Sequence, residues 1–170
     1  MKRLASFPTA ILLLLGAVLT AAAGAPSKEG PVISIVAATE ATNVPDARRA
    51  QLAFDLAHNA LNRPQAAHPH GVVLMYVNEE TARAHGLPKH ANVMVVHVDN
   101  SPAVTYYVWV VGEATDERLA VAMVMVLNRE WELKLSKKQI DEAAYRVRLG
   151  LAGVVSARDL ARESETKTSR

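Results

Sequence analysis

Two runs of apolar residues flank Asp99-Asn100-Ser101-Pro102, and the rest of the chain is organised around them. The stretch from Ala91 to Val111, ANVMVVHVDNSPAVTYYVWVV, is rich in Val, Tyr and Trp. These side chains suit a pleated, half-buried surface, so a β-hairpin is expected. Asn-Ser serves as a two-residue turn because Asn tolerates positive φ. Pro102 then opens the second strand, where the ladder needs no N–H. Pairing Asp99 with Pro102 sets Val98 against Ala103 and His97 against Val104. Side chains alternate across a strand, so two faces follow. One carries Val93, Val95 and His97 with Val104, Tyr106, Val108 and Val110; it is the more aliphatic and is expected to meet helices. The other carries Asn92, Met94, Val96 and Val98 with Ala103, Thr105, Tyr107 and Trp109. Large amphipathic side chains beside polar ones suit a contact surface, which makes Met94, Tyr107 and Trp109 the candidate binding residues. The competing reading of that face is a second core layer.

Ahead of the hairpin, Val32 to Ala38 predicts a short buried strand. Asn43-Val-Pro-Asp46 predicts a turn that opens a helix. From Ala47 to Asn62 the polar residues Gln51, Asp55, His58, Asn59 and Asn62 share one side, and Ala50, Ala53, Phe54, Ala57 and Leu61 centre the other. Pro64 stops this helix. Gly71 to Val77 predicts a strand. Asn78 with two acids after it marks a helix start, and Gly86 and Pro88 mark its stop, giving a short helix from Glu79 to His85.

Behind the hairpin, Thr115 is an N-cap followed by Asp116 and Glu117. Leu119 to Leu127 has the length of a helix, while its valines and partial alternation leave strand open. Leu119, Met123, Leu127 and Trp131 form an i+4 ridge that supports helix. Trp131 to Leu135 alternates and predicts an extended segment. Ser136 and Gln139 make a capping box. A helical stripe of Ile140, Ala144, Val147, Leu151 and Val154 follows, with Gly150 and Gly153 weakening the helix or admitting another backbone. The predicted fold is α+β: a small, mainly antiparallel sheet of about four strands with helices packed on one face.

A different pattern heads the chain. Met1-Lys2-Arg3 is basic, Ala10 to Leu19 is densely apolar, and Thr20 to Ala25 is a run of small residues. Residues 1–23 are therefore expected to be a secretory signal peptide cleaved after Ala23, with 24–31 a linker. An uncleaved membrane anchor is the alternative, because no charge falls between Leu4 and Pro26. Residues 32–156 are expected to form a single domain and 157–170 a polar, disordered C-terminal tail. The expected location is secreted or periplasmic.

Charge and cysteine content narrow the function classes. Removing Lys2 and Arg3 with the signal lowers Lys+Arg from 19 to 17, against 17 Asp+Glu. A neutral domain lacks the basic footprint that phosphate-backbone binding or anionic lipid requires. No nucleic-acid partner is expected, nor a membrane partner after signal cleavage. The chain has no cysteine, which excludes disulfides, thiolate metal sites and a cysteine nucleophile.

Candidate chemistry is sparse. Among the 6 histidines, His68-Pro69-His70 forms an H-x-H loop and His58 lies on the polar helix face before it. Imidazole suits zinc or copper, so His58, His68 and His70 are the candidate metal ligands. Solvated loop histidines are the competing reading. Glu79-Glu80 and Asp116-Glu117 sit at helix starts, where the macrodipole favours them, and adjacent helical residues do not face each other as an acid/base pair would. No catalytic residue, nucleophile elbow, dinucleotide loop or phosphate loop is identified, and no other cofactor is expected.

Asn78-Glu-Glu-Thr-Ala-Arg-Ala-His-Gly-Leu-Pro, leading into Ala91-Asn-Val-Met-Val-Val, resembles the short-helix-into-strand element of double-psi barrels such as molybdopterin-dinucleotide-binding domains. The likeness covers about twenty residues, the length of one helix–strand unit. His90-Ala91-Asn92 stands where that family has a Gly-Asp turn, and no function or residue role follows from it.

The sequence thus favours an exported, non-catalytic α+β binding or accessory module whose contacts, to a protein partner or a second copy in a homodimer, run through the hairpin. The alternatives are a histidine-based, metal-binding periplasmic protein and an enzyme whose site assembles only in three dimensions.

Overall fold

The computed structural model describes residues 30–154 apart from 39, 40, 42, 64, 65, 67, 90, 101 and 102, without the side chains of 97–100, 103 and 104. The expected signal peptide, most of the linker and the C-terminal tail lie outside the described residues. In chain order the elements are strand β1 (Val32–Ala37), helix α1 (Ala47–Leu61), strand β2 (Gly71–Val77), helix α2 (Glu79–Ala84), strands β3 (Val93–Asn100) and β4 (Ala103–Val111), and helices α3 (Asp116–Glu130) and α4 (Lys137–Leu151).

Local chemistry starts each helix. The Asp46 carboxylate accepts from the Arg49 amide at 2.7 Å, Asn78 Oδ1 from the Thr81 amide at 2.7 Å, and Thr115 Oγ1 from the Arg118 amide at 3.3 Å. Ser136 and Gln139 form the reciprocal capping box, with Gln139 Oε1 accepting from the Ser136 amide at 2.9 Å. Asn62, left-handed at φ 46°, closes α1 before Pro64 is reached. Residues 131–135 are not the extended segment that their alternation predicts. Glu132 and Lys134 adopt positive φ, and Asn128 Oδ1 reaches forward to accept from the Leu135 amide at 3.0 Å.

The four strands form an open, mixed sheet in the order β1-β2-β4-β3. The fold class is α+β, but the pairing corrects the mainly antiparallel expectation. β1 runs parallel to β2, from Val32 opposite Gly71 to Ala37 opposite Tyr76, and β2 runs parallel to β4, from Gly71 opposite Thr105 to Val77 opposite Val111. Only β3 and β4 are antiparallel. The reason is the connections: α1 carries the chain back to the end where β1 began, so β2 runs parallel to β1, while β3 is itself the return leg between β2 and β4, so β4 runs in the direction of β2. The sheet's open edge also confines the double-psi likeness to its helix-into-strand element.

The hairpin's register differs from the expected one by two positions: Asn100, not Val98, stands opposite Ala103, and His97 stands opposite Tyr106. A slip of two preserves which side every residue faces, whereas a slip of one would exchange the faces. Val72, Leu74, Tyr76, Tyr106, Val108 and Val110 are buried against the helices, and Val93 and Val95 pack beside them. Phe54 of α1, Leu119, Met123 and Leu127 of α3, and Val147 of α4 fill the other side of this core. Each such large side chain contributes about 1.5–3 kcal/mol on burial. α3 is a helix, and seven of its residues are buried. It is wedged between the sheet, α1 and α4. That position explains its valines and ambiguous alternation, because a helix covered on several sides has little need of a polar stripe.

Candidate functional site

Parallel pairing places chemistry on the sheet that the hairpin alone does not reveal. Directly opposed residues in paired strands point to the same side of the sheet. The face away from α1, α3 and α4 therefore carries two rows running across all four strands. One is Ser34, Val73, Tyr107 and Val96; the other is Val36, Met75, Trp109 and Met94. Neither row contains a charged residue, and none of its side chains is fully buried. Val36 is 42% exposed, and Val32, one position before the first row, is 63% exposed.

One end of this face is closed. α2 and the turn after it bring Ala82 and Leu87 onto Val77 and Val111, forming a small second core. Met94 and Trp109 lean against that cluster, and the His85 ring lies 5.3 Å from the Trp109 ring. The three candidate binding residues thus share one side of the sheet, Trp109 half-buried at the edge of α2 and Tyr107 further out. Sequence reasoning missed the contribution of Ser34, Val36, Val73 and Met75. β1, expected to be a buried strand, is instead a partly exposed edge strand, because only β2 pairs with it.

The second place of interest is on the polar face of α1. Gln51, Asp55, His58 and Asn59 project from successive turns, as their spacing predicts, and with Gly30, Phe54 and His68 they line an open cleft of about 510 Å3. The His58 and His68 ring centroids are 4.8 Å apart at a 43° tilt. Trp131, just past the end of α3, presents itself edge-to-face to His58 at 5.2 Å, and Phe54 meets His68 at 5.8 Å. Asp55 Oδ1 accepts from Gln51 Nε2 at 3.0 Å. His58 Nε2 is buried and makes no hydrogen bond. Burial, then the neighbouring His68, hold the His58 imidazole below its ordinary pKa, and Asp55 opposes them.

His58 and His68 are brought together, but His70 does not line this cleft; its backbone carbonyl accepts from the Val32 amide at 3.1 Å, starting the β1–β2 ladder. Among the described residues, no group of three or more His, Asp or Glu side chains is arranged to hold a metal ion. Trp131 was legible only as the last member of the α3 ridge, and its approach to His58 depends on how α1 crosses the end of α3.

Two tyrosines mark the polar limits of the core. The Tyr106 hydroxyl donates to Glu130 Oε2 at 2.7 Å, while the Tyr76 hydroxyl is buried without a partner. Burial raises the pKa of both phenols, Tyr106 further through its bond to Glu130, so both stay neutral. Among the described residues, no helix is long and apolar enough to cross a membrane. Comparison with known proteins found no matching family, no matching curated protein and no matching solved structure.

Proposed function

We propose that the chain is an exported, non-catalytic binding or accessory module that engages a protein partner, or a second copy of itself, through the open face of its sheet. The observation that carries this reading is the pair of uncharged rows across four strands, with Tyr107 and Trp109 on the inner strand β4, Met94 beside them on the edge strand β3, and only one end closed by α2. A contiguous apolar surface of this kind, without charges, is the chemistry of a contact site rather than of a solvated face. Tyr and Trp add large area at low entropic cost, as anchors do. Export rests on the tripartite pattern of residues 1–23.

The test is a double substitution, Tyr107→Ser with Trp109→Ser. It abolishes self-association in analytical ultracentrifugation, or capture of the partner, while far-UV circular dichroism stays unchanged. A protein that is a partnerless monomer in both forms defeats the reading. N-terminal sequencing of the exported protein, expected to begin at Gly24, checks the signal.

A further inference from the structure

The cleft on α1 lies on the far side of the core from the open sheet face and is independent of it. Its walls bring two imidazoles within 4.8 Å, centroid to centroid. Two imidazole nitrogens bound to one ion at ~2.0–2.1 Å put their ring centroids roughly 4.5–5.2 Å apart, for ligand angles of about 90–110°. The observed separation is one that two ligands of a single ion adopt.

Three further features point the same way. His58 Nε2 is buried with no hydrogen-bond partner, a condition that an ion or a water relieves. Asp55 lines the same cleft one turn earlier on α1 and adds negative charge that draws a cation in. The cleft is open, and both histidines line it. The nitrogen donors choose the metal, since neutral imidazole suits zinc and copper and leaves calcium and magnesium to oxygen ligands. With no third protein ligand in reach among the described residues, water fills the remaining positions.

We propose that His58 and His68 form a two-nitrogen capture site for a late first-row divalent metal, zinc or copper, in the cleft of α1. His70 is not part of it. The site keeps open positions, so it binds the metal exchangeably rather than as a closed structural centre.

The test uses the full chain without a histidine tag, titrated with zinc chloride in a non-chelating buffer. A saturable rise in Tm is expected, since metal bound only by the folded state stabilises it. His68→Ala and His58→Gln each lose the rise, and His70→Ala keeps it. His68 is exposed, so its alanine variant should melt like the parent without zinc. Copper(II) loaded onto the parent should give an electron paramagnetic resonance signal split by two imidazole nitrogens, reduced to one in His68→Ala. No rise at excess zinc overturns the proposal. So does a rise, or a two-nitrogen signal, that survives His68→Ala. Because neither His58 nor His68 touches the sheet face, this outcome and that of the Tyr107/Trp109 pair are read separately.

Discussion

Arg49 holds Asp116 by two bonds, Nε to Oδ1 at 2.8 Å and Nη2 to Oδ2, and so ties the first turn of α1 to the first turn of α3. A two-pronged guanidinium–carboxylate pair is stronger and more directional than a single contact. It fixes the crossing of the two helices whose far ends bring His58 against Trp131. The bond to Arg49 is the main cause that holds the Asp116 carboxyl below the usual carboxylate range, and burial works against it. A group whose folded pKa is depressed adds stability above its unfolded pKa and loses it as pH falls through the folded value. Both side chains are more than a third exposed, so solvent screening keeps the pair's contribution to about 1 kcal/mol or less. Arg49→Met is expected to lower the urea midpoint at pH 7. The difference from the parent should shrink below about pH 4, the unfolded carboxylate range, as Asp116 takes up its proton. Urea titrations of both proteins at pH 7 and pH 3 check this.

The two core tyrosines predict opposite signs. The Tyr76 hydroxyl is buried without a partner, and an unsatisfied polar group costs more than the same volume of carbon. Tyr76→Phe is expected to be neutral or to stabilise by up to about 1 kcal/mol. Tyr106→Phe removes the hydroxyl that donates to Glu130 at 2.7 Å and should destabilise by about 1.5 kcal/mol, the lower end for a bond to a charged group. Thermal melts of the two variants beside the parent read both signs directly.

What the sequence made legible was local. The N-caps at Asn78, Thr115 and Ser136 lie where the helices begin, because each cap is decided by residues within one turn of it. Among the described side chains the two hairpin faces are also as their alternation predicts, despite a register that differs by two, because only the parity of a pairing decides its faces. What depends on which elements become neighbours was not legible. The insertion of β4 between β2 and β3 makes two of three pairings parallel and extends the face of Trp109 to Met75 and Val36. Nothing within one turn of Met75 reports that. Residue type groups His58, His68 and His70 as candidates, but it does not say that His68 meets α1 while His70 stays out of the cleft. The same holds for α3, whose periodicity is blurred by packing on several sides.

Gly112 carries two constraints at once. Its φ is +81°, and a Cβ built there would lie 2.8 Å from Arg118 Nη1. That guanidinium nitrogen donates to the carbonyls of Val111 and Glu113, each at 2.7 Å, and so clamps the turn between β4 and α3. Gly86, at φ +75°, has open space where its Cβ would be. Gly86→Ala therefore bears only the backbone term, about 1 kcal/mol, whereas Gly112→Ala should cost about 2–3 kcal/mol because the clamp must also move. Chemical denaturation of the two alanine variants should rank them in that order.

Gly150 decides how closely α4 approaches α1. A Cβ at this position would stand 2.7 and 2.9 Å from the two δ-methyl carbons of Leu56. Leu56 is only 3% exposed, so its methyls are enclosed and have little room to turn away. Gly150 lies in the last turn of α4, where helix propensity alone favours its replacement by valine by at most a few tenths of a kcal/mol. Overpacking an enclosed contact works against this at about 1–3 kcal/mol, so Gly150→Val is expected to be destabilising overall. Leu56→Ala by itself should cost about 2–5 kcal/mol through the cavity it opens. Together the two changes should cost clearly less than their sum, since the valine methyls occupy space that the leucine leaves. Additive costs in that double-mutant cycle would mean that Leu56 moves aside freely and that the glycine is not what sets the helix spacing.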